Sequence, residues 1–280
     1  MLTIIAAACG PAVPPTEAPT SAIVPVSTVG PTSSPAPTPV PAAIPSATPS
    51  PAPGPSPTPA PALVPADLDG ILVAPELAHR LPLAIMLDDS RAARPQSGFN
   101  AASIVYQAPA DGYETRYMLV FQEGDADVGP VRSARFYLAQ WASEVRAALA
   151  HYGGDQRTRR HIRYNSQMFA DVDGIGRSNS AYHRIKTRRS PHNAYGTTVS
   201  IRRVALKFGA PEVMSDGLHR RPFVDPAPTA DRALSQRIRI PYRTNIITYR
   251  YDPVGTGICA RSMAAGRSTR PIASKSARPM

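Results

Sequence analysis

The apolar run Leu81-Pro-Leu-Ala-Ile-Met-Leu87 is closed by Asp88-Asp89-Ser90, the pattern of a buried strand feeding a turn. Ser103-Ile-Val-Tyr-Gln-Ala108 alternates and predicts a second strand, and Thr115-Arg-Tyr-Met-Leu-Val-Phe121 a third. Pro109-Ala-Asp-Gly112 joins these two with turn chemistry. Tyr137, Leu138, Trp141 and Val145 recur at helical spacing, with Ser133 placed to cap the helix. Ala147 to Tyr152 reads as a strand closed by Gly153-Gly154. A second helix is expected from Thr198 to about Phe208, with Thr197 as its cap and Val199, Val204 and Phe208 facing inward. Arg239-Ile-Pro-Tyr242 and Ile246-Ile-Thr-Tyr-Arg-Tyr251 suggest further strands. Strands grouped with a few helices predict an α+β fold: a layered β-sheet domain with packed helices over 67–210, followed by the start of a smaller β-rich unit over 220–263.

Composition sets the limits of that body. Nineteen of the 33 prolines fall between Pro11 and Pro65, a stretch without an aromatic residue and with Glu17 as its single charge. It cannot bury enough apolar surface to offset its ordering entropy, so residues 10–66 are expected to form a disordered linker. Its Ala-Pro, Ser-Pro and Thr-Pro repeats favour extended polyproline geometry, which at ~3.1 Å per residue could reach on the order of 170 Å. Ahead of it, Met1 to Ala8 are apolar and end in small side chains before Cys9-Gly10. Residues 1–9 therefore read as the remnant of a lipoprotein signal, with Cys9 as the lipidated residue. The positive segment of such a signal is missing, as a start codon placed too far downstream would explain. No run of about 18 apolar residues exists, which excludes a membrane-spanning helix. Two cysteines exclude a disulfide scaffold and a cysteine-based metal cluster.

Charge is unevenly spread. Between Arg157 and Lys207 there are twelve Lys or Arg against Asp171 and Asp173 alone, while the rest of 67–254 carries fourteen bases and seventeen acids. Such clustering invites a nucleic-acid reading. Aromatic stacking residues are sparse there, however, and no zinc finger, helix-turn-helix or RNP-like signature accompanies it. For an exported chain the available polyanions are teichoic acids, lipid headgroups and wall carboxylates. The competing reading is a solvated basic face in an arginine-rich chain.

Five short motifs follow one another in order: Leu83-Ala-Ile-Met-Leu-Asp-Asp89, Ala93-Arg-Pro-Gln-Ser-Gly98, Gly129-Pro-Val-Arg-Ser-Ala-Arg135, His151-Tyr-Gly-Gly154 and Pro191-His-Asn-Ala-Tyr195. In this the chain resembles the YerB-like bacterial lipoproteins, a family built around a domain of unknown function. The resemblance implies a lipid-anchored, extracytoplasmic envelope protein with an N-terminal domain and a smaller C-terminal one. It implies no catalytic activity, cofactor or substrate. Gln107 stands where the family usually has Glu, and Asp111 where it often has another. Tyr249-Arg-Tyr-Asp-Pro253 looks like the start of the family's second domain, yet the chain continues as a basic tail over 264–280 with no strand pattern. A frameshift or truncation near Met263 is the expectation.

Candidate chemistry concentrates in these motifs. A Gly129-Pro130 turn opening a helix capped by Ser133 would present backbone N–H groups, with Arg132 and Arg135 as forked donors for a carboxylate or phosphate. Arg94 could face the same anion site. Alternatively, Arg132 pairs with a local carboxylate such as Asp88 or Asp111 and locks a loop, while Pro95 and Gly98 merely shape a turn. His192 and Asn193 could serve with Asp88 or Asp89 in an envelope hydrolase, His192 as general base. No nucleophile elbow and no His-Glu-x-x-His helix support that reading. His151 is expected to pack or hydrogen-bond. Asp171-Val-Asp-Gly174 hints at a calcium loop, but a glycine at the fourth place and no glutamate at the twelfth break that pattern, and no metal or cofactor is expected. The leading expectation is a binding or scaffolding module, anchored in the membrane, for peptidoglycan, teichoic acid or an envelope protein. A hydrolase comes second and nucleic-acid binding a distant third.

Overall fold

A computed structural model of the chain describes residues 62–168, 170–214, 223–224, 227–232 and 236–252, and the backbone course of 257–264 and 267–271. Cys9 and nearly all of the proline-rich stretch lie outside the described residues. The ordered body begins earlier than residue 67. Strand β1 (Val64–Pro65) pairs antiparallel with β2 (Leu72–Val73), and Ala66 is buried while donating to the Ile71 carbonyl. The last residues assigned to the linker thus belong to a hairpin, held by backbone pairing rather than by a hydrophobic pattern. A short helix α1 (Pro75–Ala78) follows, and His79 fastens its end to Asp67 at 2.8 Å.

The central sheet comprises β3 (Leu83–Asp88), β4 (Ile104–Pro109), β5 (Thr115–Phe121), β7 (Ala148–His151) and β8 (Asp171–Asp173), in the order β4-β5-β3-β7-β8. β3 runs antiparallel to β5 and parallel to β7. The uninterrupted apolar run of β3 is explained by this central place, since a strand covered on both faces needs no polar alternation. Leu83, Ile85 and Leu87 enter one core layer, together with Leu119, Phe121 and the inner face of helix α4 (Thr198–Lys207). Ala84 and Met86 enter the other, with Met118, Val120, helix α2 (Phe136–Ser143) and Ile162 of α3 (Gln156–Tyr164). The fold is therefore α+β and layered, as the sequence pattern predicts.

Three strands, β6 (Asp127–Val128), β9 (Tyr182–Arg184) and β10 (Ala194–Thr197), form a second small sheet in the order β6-β10-β9. Strands β11 (Arg237–Pro241), β12 (Asn245–Asp252), β13 (Gly257–Ala264) and β14 (Arg267–Pro271) form an antiparallel meander. The last of these corrects the expectation of no strand beyond 263: backbone pairing to a preceding strand needs no apolar alternation in the added one. Among the described residues no helix is long and apolar enough to cross a membrane.

Two local expectations are also corrected. α4 is capped as foreseen, Thr197 and Ser200 forming a reciprocal capping box. Its buried face, however, is Thr198, Ile201, Val204 and Ala205, whereas Val199 is exposed. α2 begins at Phe136 after Arg135, with no side-chain cap, so Ser133 does not cap it. Ser133 lies two residues ahead of the cap position Arg135, and its hydroxyl donates to the Tyr152 carbonyl at 3.3 Å.

Candidate functional site

The C-terminal end of β3 delivers two adjacent aspartates with opposite fates. Asp89 is fully buried, 0% exposed. Its carboxylate accepts from Arg94 Nε at 3.1 Å and Nη2 at 2.9 Å, from Gln96 at 3.1 Å and from Gln107 at 2.9 Å. Thr115 and, at 3.3 Å, Asn245 of β12 complete the set. Five residues thus saturate both oxygens, as a buried carboxylate requires. Burial raises the Asp89 pKa, and the Arg94 charge and the hydrogen bonds only partly offset it. Gln107 is a donor to Asp89 and an acceptor for the Tyr249 hydroxyl at 3.2 Å. A carboxylate in its place could not donate to Asp89.

Asp88 faces the opposite environment. Its Oδ1 accepts from the Ser90 N–H at 3.0 Å, and its Oδ2 meets His192 Nδ1 at 2.7 Å. Arg132 Nε lies 3.1 Å from the same Oδ2, an ion pair without the alignment of a hydrogen bond. Burial acts to raise the Asp88 pKa. The Ser90 and His192 bonds, with the Arg132 and Arg116 charges, outweigh it and leave a net lowering. A carboxyl lowered in the folded state stabilises the fold above its unfolded pKa, near 3.9, and loses that contribution as pH falls through the folded value. Asp89, raised, has the reverse sign: its contribution is present below the unfolded value and lost as pH rises through the folded one. Asp88→Asn should therefore destabilise the protein at pH 7, and its deficit relative to wild type should shrink below about pH 4. Urea unfolding at a series of pH values reads this directly, and a deficit that stayed constant down to pH 3 would contradict the assignment.

His192 reaches Asp88 through the small sheet. β10 pairs with β6, which leads into Gly129-Pro130, and the Val131 N–H donates to the Ala194 carbonyl at 2.7 Å. A Cβ on Gly129 would fall 2.3 Å from the Tyr195 ring, so two of the five motifs are in direct contact. This stitching overturns the expected row of free amides at 129–134. Arg132 N–H donates to Met86 O, and Ala134 N–H to Gly153 O, both at 2.9 Å. The segment is extended, not the opening turn of a helix, and these amides have no capacity left for an anion.

The remaining candidates separate. Arg94 is committed to Asp89. Arg135 donates to Ala134 O at 2.8 Å and pairs with Asp111. Asn193 accepts from Arg184 at 2.5 Å and so turns away from Asp88. His151 is buried between Gly153 O and Asp171, each at 2.8 Å. Among the described residues no His, Cys, Asp or Glu cluster could hold a metal. Sequence reasoning missed Ser90, Gln96, Glu114, Thr115, Arg116 and Asn245. Arg116 is buried beneath the site and donates to Ser133 O at 2.7 Å. Burial, then repulsion from Arg135 and Arg132, brings its pKa down to about 10 against the pull of Asp88 and Asp111, so it stays charged at neutral pH. Glu114 is half-buried; burial first and the nearby Asp89 charge next raise its pKa, with Arg94 opposing. Ser90 Oγ lies 3.2 Å from His192 Nδ1. A polar residue in a strand that otherwise reads apolar, such as Thr115, was the one available signal.

The profile of the family described as "Protein of unknown function (DUF3048) N-terminal domain" matches residues 68–210. The protein named "Putative lipoprotein YerB" from Bacillus subtilis (strain 168) is 28% identical over 192 residues, covering 67% of this chain and 56% of the relative. The chain thus spans little more than half the length of that relative. The crystal structure of YerB from Bacillus subtilis matches with a TM-score of 0.60 and 24% identity, covering 75% of this chain and 72% of that one. With five motifs gathered around one sheet end and the profile spanning half of its residues, the chain belongs to the DUF3048, YerB-like family.

Proposed function

We propose that the protein is a lipid-anchored cell-envelope module that binds an anionic wall component, or a partner protein bearing an equivalent acidic group, at the edge formed by Arg132 and His192. Anchoring through Cys9 is supported by the small residues before it and by the lipoprotein name of the relative. The observation that carries the binding site is the sharing of a single oxygen, Asp88 Oδ2, by His192 Nδ1 and Arg132 Nε. Asp88 fixes both side chains through one edge each. Among the described residues nothing bonds the two Nη groups of Arg132 or Nε2 of His192, and their side chains are 29% and 23% exposed. The forked Nη groups of Arg132 suit a carboxylate or phosphate oxygen, and His192 Nε2 beside them adds a further donor in the doubly protonated form of the ring.

Retention of the chain on purified wall material tests the site. Arg132→Gln should weaken retention roughly tenfold, the scale of one charge-assisted hydrogen bond. Arg135→Gln, whose guanidinium is spent on Asp111 and Ala134, should leave retention close to wild type. Equal retention by wild type and Arg132→Gln would remove the proposal.

A hydrolase reading has one observation in its favour: the Asp88–His192 bond at 2.7 Å orients an imidazole as a general base would be oriented. Asp89 has no part in it, being saturated. Ser90 and Asp88 approach the same nitrogen, so the histidine does not stand between acid and hydroxyl as in a serine triad. The base would act on water through Nε2. Release of no more product from peptidoglycan or a carbohydrate panel by wild type than by His192→Gln would dispose of this reading.

A further inference from the structure

Helix α3 carries charge in an arrangement that works against its own stability. Arg157, Arg159, Arg160 and Arg163 are all exposed, and no ion pair joins any of them to a described carboxylate. Arg159 and Arg163 are four residues apart; Arg157–Arg160 and Arg160–Arg163 are three apart, so like charges face one another along one side. Arg157 and Arg159 also occupy the first turn, where the helix dipole disfavours cations and no acid follows the cap. The cap itself, Asp155, spends its carboxylate on the Thr158 N–H at 2.9 Å and the Thr158 hydroxyl at 2.5 Å. Arg157 is held over the Phe136 ring at 4.3 Å. Gln156, Arg159, Arg160, Arg163 and Tyr164 line a cleft of about 430 Å³.

The Asp155 cap, the Phe136 ring under Arg157 and the dipole at Arg163 offset part of this repulsion, but no described carboxylate pairs with Arg159, Arg160 or Arg163, and negative charge from outside would relieve it. We infer that this face of α3 is a docking surface for a polyol-phosphate polymer, a chain of phosphodiesters without bases. This goes beyond the Arg132–His192 reading and uses none of its residues. Arginine forks suit phosphate oxygens, and rows three and four residues apart present them at short, regular intervals. A lipid surface fits less well. The apolar side of α3, Thr158 and Ile162, is buried in the core, leaving Tyr164, 74% exposed, as the one large aromatic the helix offers. Nucleic acid fits less well for the same reason, since successive bases need several stacking platforms.

The test is equilibrium binding of the full 280-residue chain to poly(glycerol phosphate) across a salt series, beside its Arg159→Gln/Arg160→Gln/Arg163→Gln variant. Glutamine keeps helix propensity and removes the repulsion, so the variant should unfold at the same or a higher temperature. Wild type should bind with a steep salt dependence. The variant should bind at least tenfold more weakly at low salt, with a log–log salt slope flatter by about two. Arg239→Gln, an exposed arginine of β11 in neither site, should bind the polymer like wild type, which separates this face from a general loss of positive charge. Equal binding by wild type and the triple variant would overturn the inference. So would binding to phosphatidylglycerol vesicles without binding to the soluble polymer, or tighter binding to a single-stranded oligonucleotide at equal phosphate concentration.

Discussion

Asp89→Ala should lower the unfolding free energy by about 3–5 kcal/mol, the cost of removing one partner from a buried ion pair. The reason lies in what remains behind. Arg94 would keep its charge with its side chain only 17% exposed, and Gln96, Gln107, Thr115 and Asn245 would each lose an acceptor. No single neighbour can replace a carboxylate that accepts from five residues. Asp89→Asn should fall between the two, since an amide keeps one acceptor oxygen but turns a donor toward other donors. Urea unfolding of the three proteins measures the series. A loss below about 1 kcal/mol for Asp89→Ala would mean that the cluster is solvated and not sealed.

Phe121→Ala should cost a comparable amount, about 3–5 kcal/mol, by a different route. Phe121 ends β5 opposite Leu83 of β3 and is completely buried in the layer that contains Val128 and α4. Truncation leaves a dry cavity lined by residues fixed in two sheets and a helix, which cannot collapse to fill it. The two variants are distinguishable by solution conditions. The Asp89 deficit depends on pH, growing as pH falls toward the unfolded carboxyl value of about 3.9, because a carboxyl with a raised pKa has been removed. The Phe121 deficit should be the same at about pH 4 and about pH 8. Denaturant unfolding at both values reads the contrast.

The sheet was legible because its strands are unusually apolar. Leu83 to Leu87 and Tyr117 to Phe121 are continuous apolar runs, the first ended by Asp88-Asp89 and the second entered through Thr115-Arg116 after a turn. α4 was legible because Thr197 is a good cap in sequence and in fact. The failures share a physical cause. The segment 129–134 resembles a helix entry locally, but its amides at Val131, Arg132 and Ala134 are claimed by carbonyls of Ala194, Met86 and Gly153, which lie 19 to 63 residues away in the chain and are invisible to any local pattern. Val199 was misplaced because a short helix with few apolar residues fixes its rotation poorly. Here the capping box and Thr198, which bonds Asp125 at 2.9 Å, set it instead. Asp88, His192 and Arg132 were each legible as chemistry-bearing residues, and pairing of Arg132 with Asp88 was among the alternatives. The convergence of all three on one oxygen was not, because His192 arrives from 104 residues downstream. Asp89 was read as a reactive group and is a buried anchor, a distinction that burial alone decides.

Asn245 joins the Asp89 cluster from 156 positions further along the chain. Whether the polypeptide emerges from a ribosome or from a translocation channel, its amino end comes first, so Arg94, Gln96, Gln107 and Thr115 are in place before their last companion exists. At ~5–20 residues per second, the wait on a ribosome is on the order of ten seconds. During that interval the nascent sheet holds an incompletely sheltered negative charge at its heart, and closure of the Asp89 site becomes a late event in the birth of the molecule.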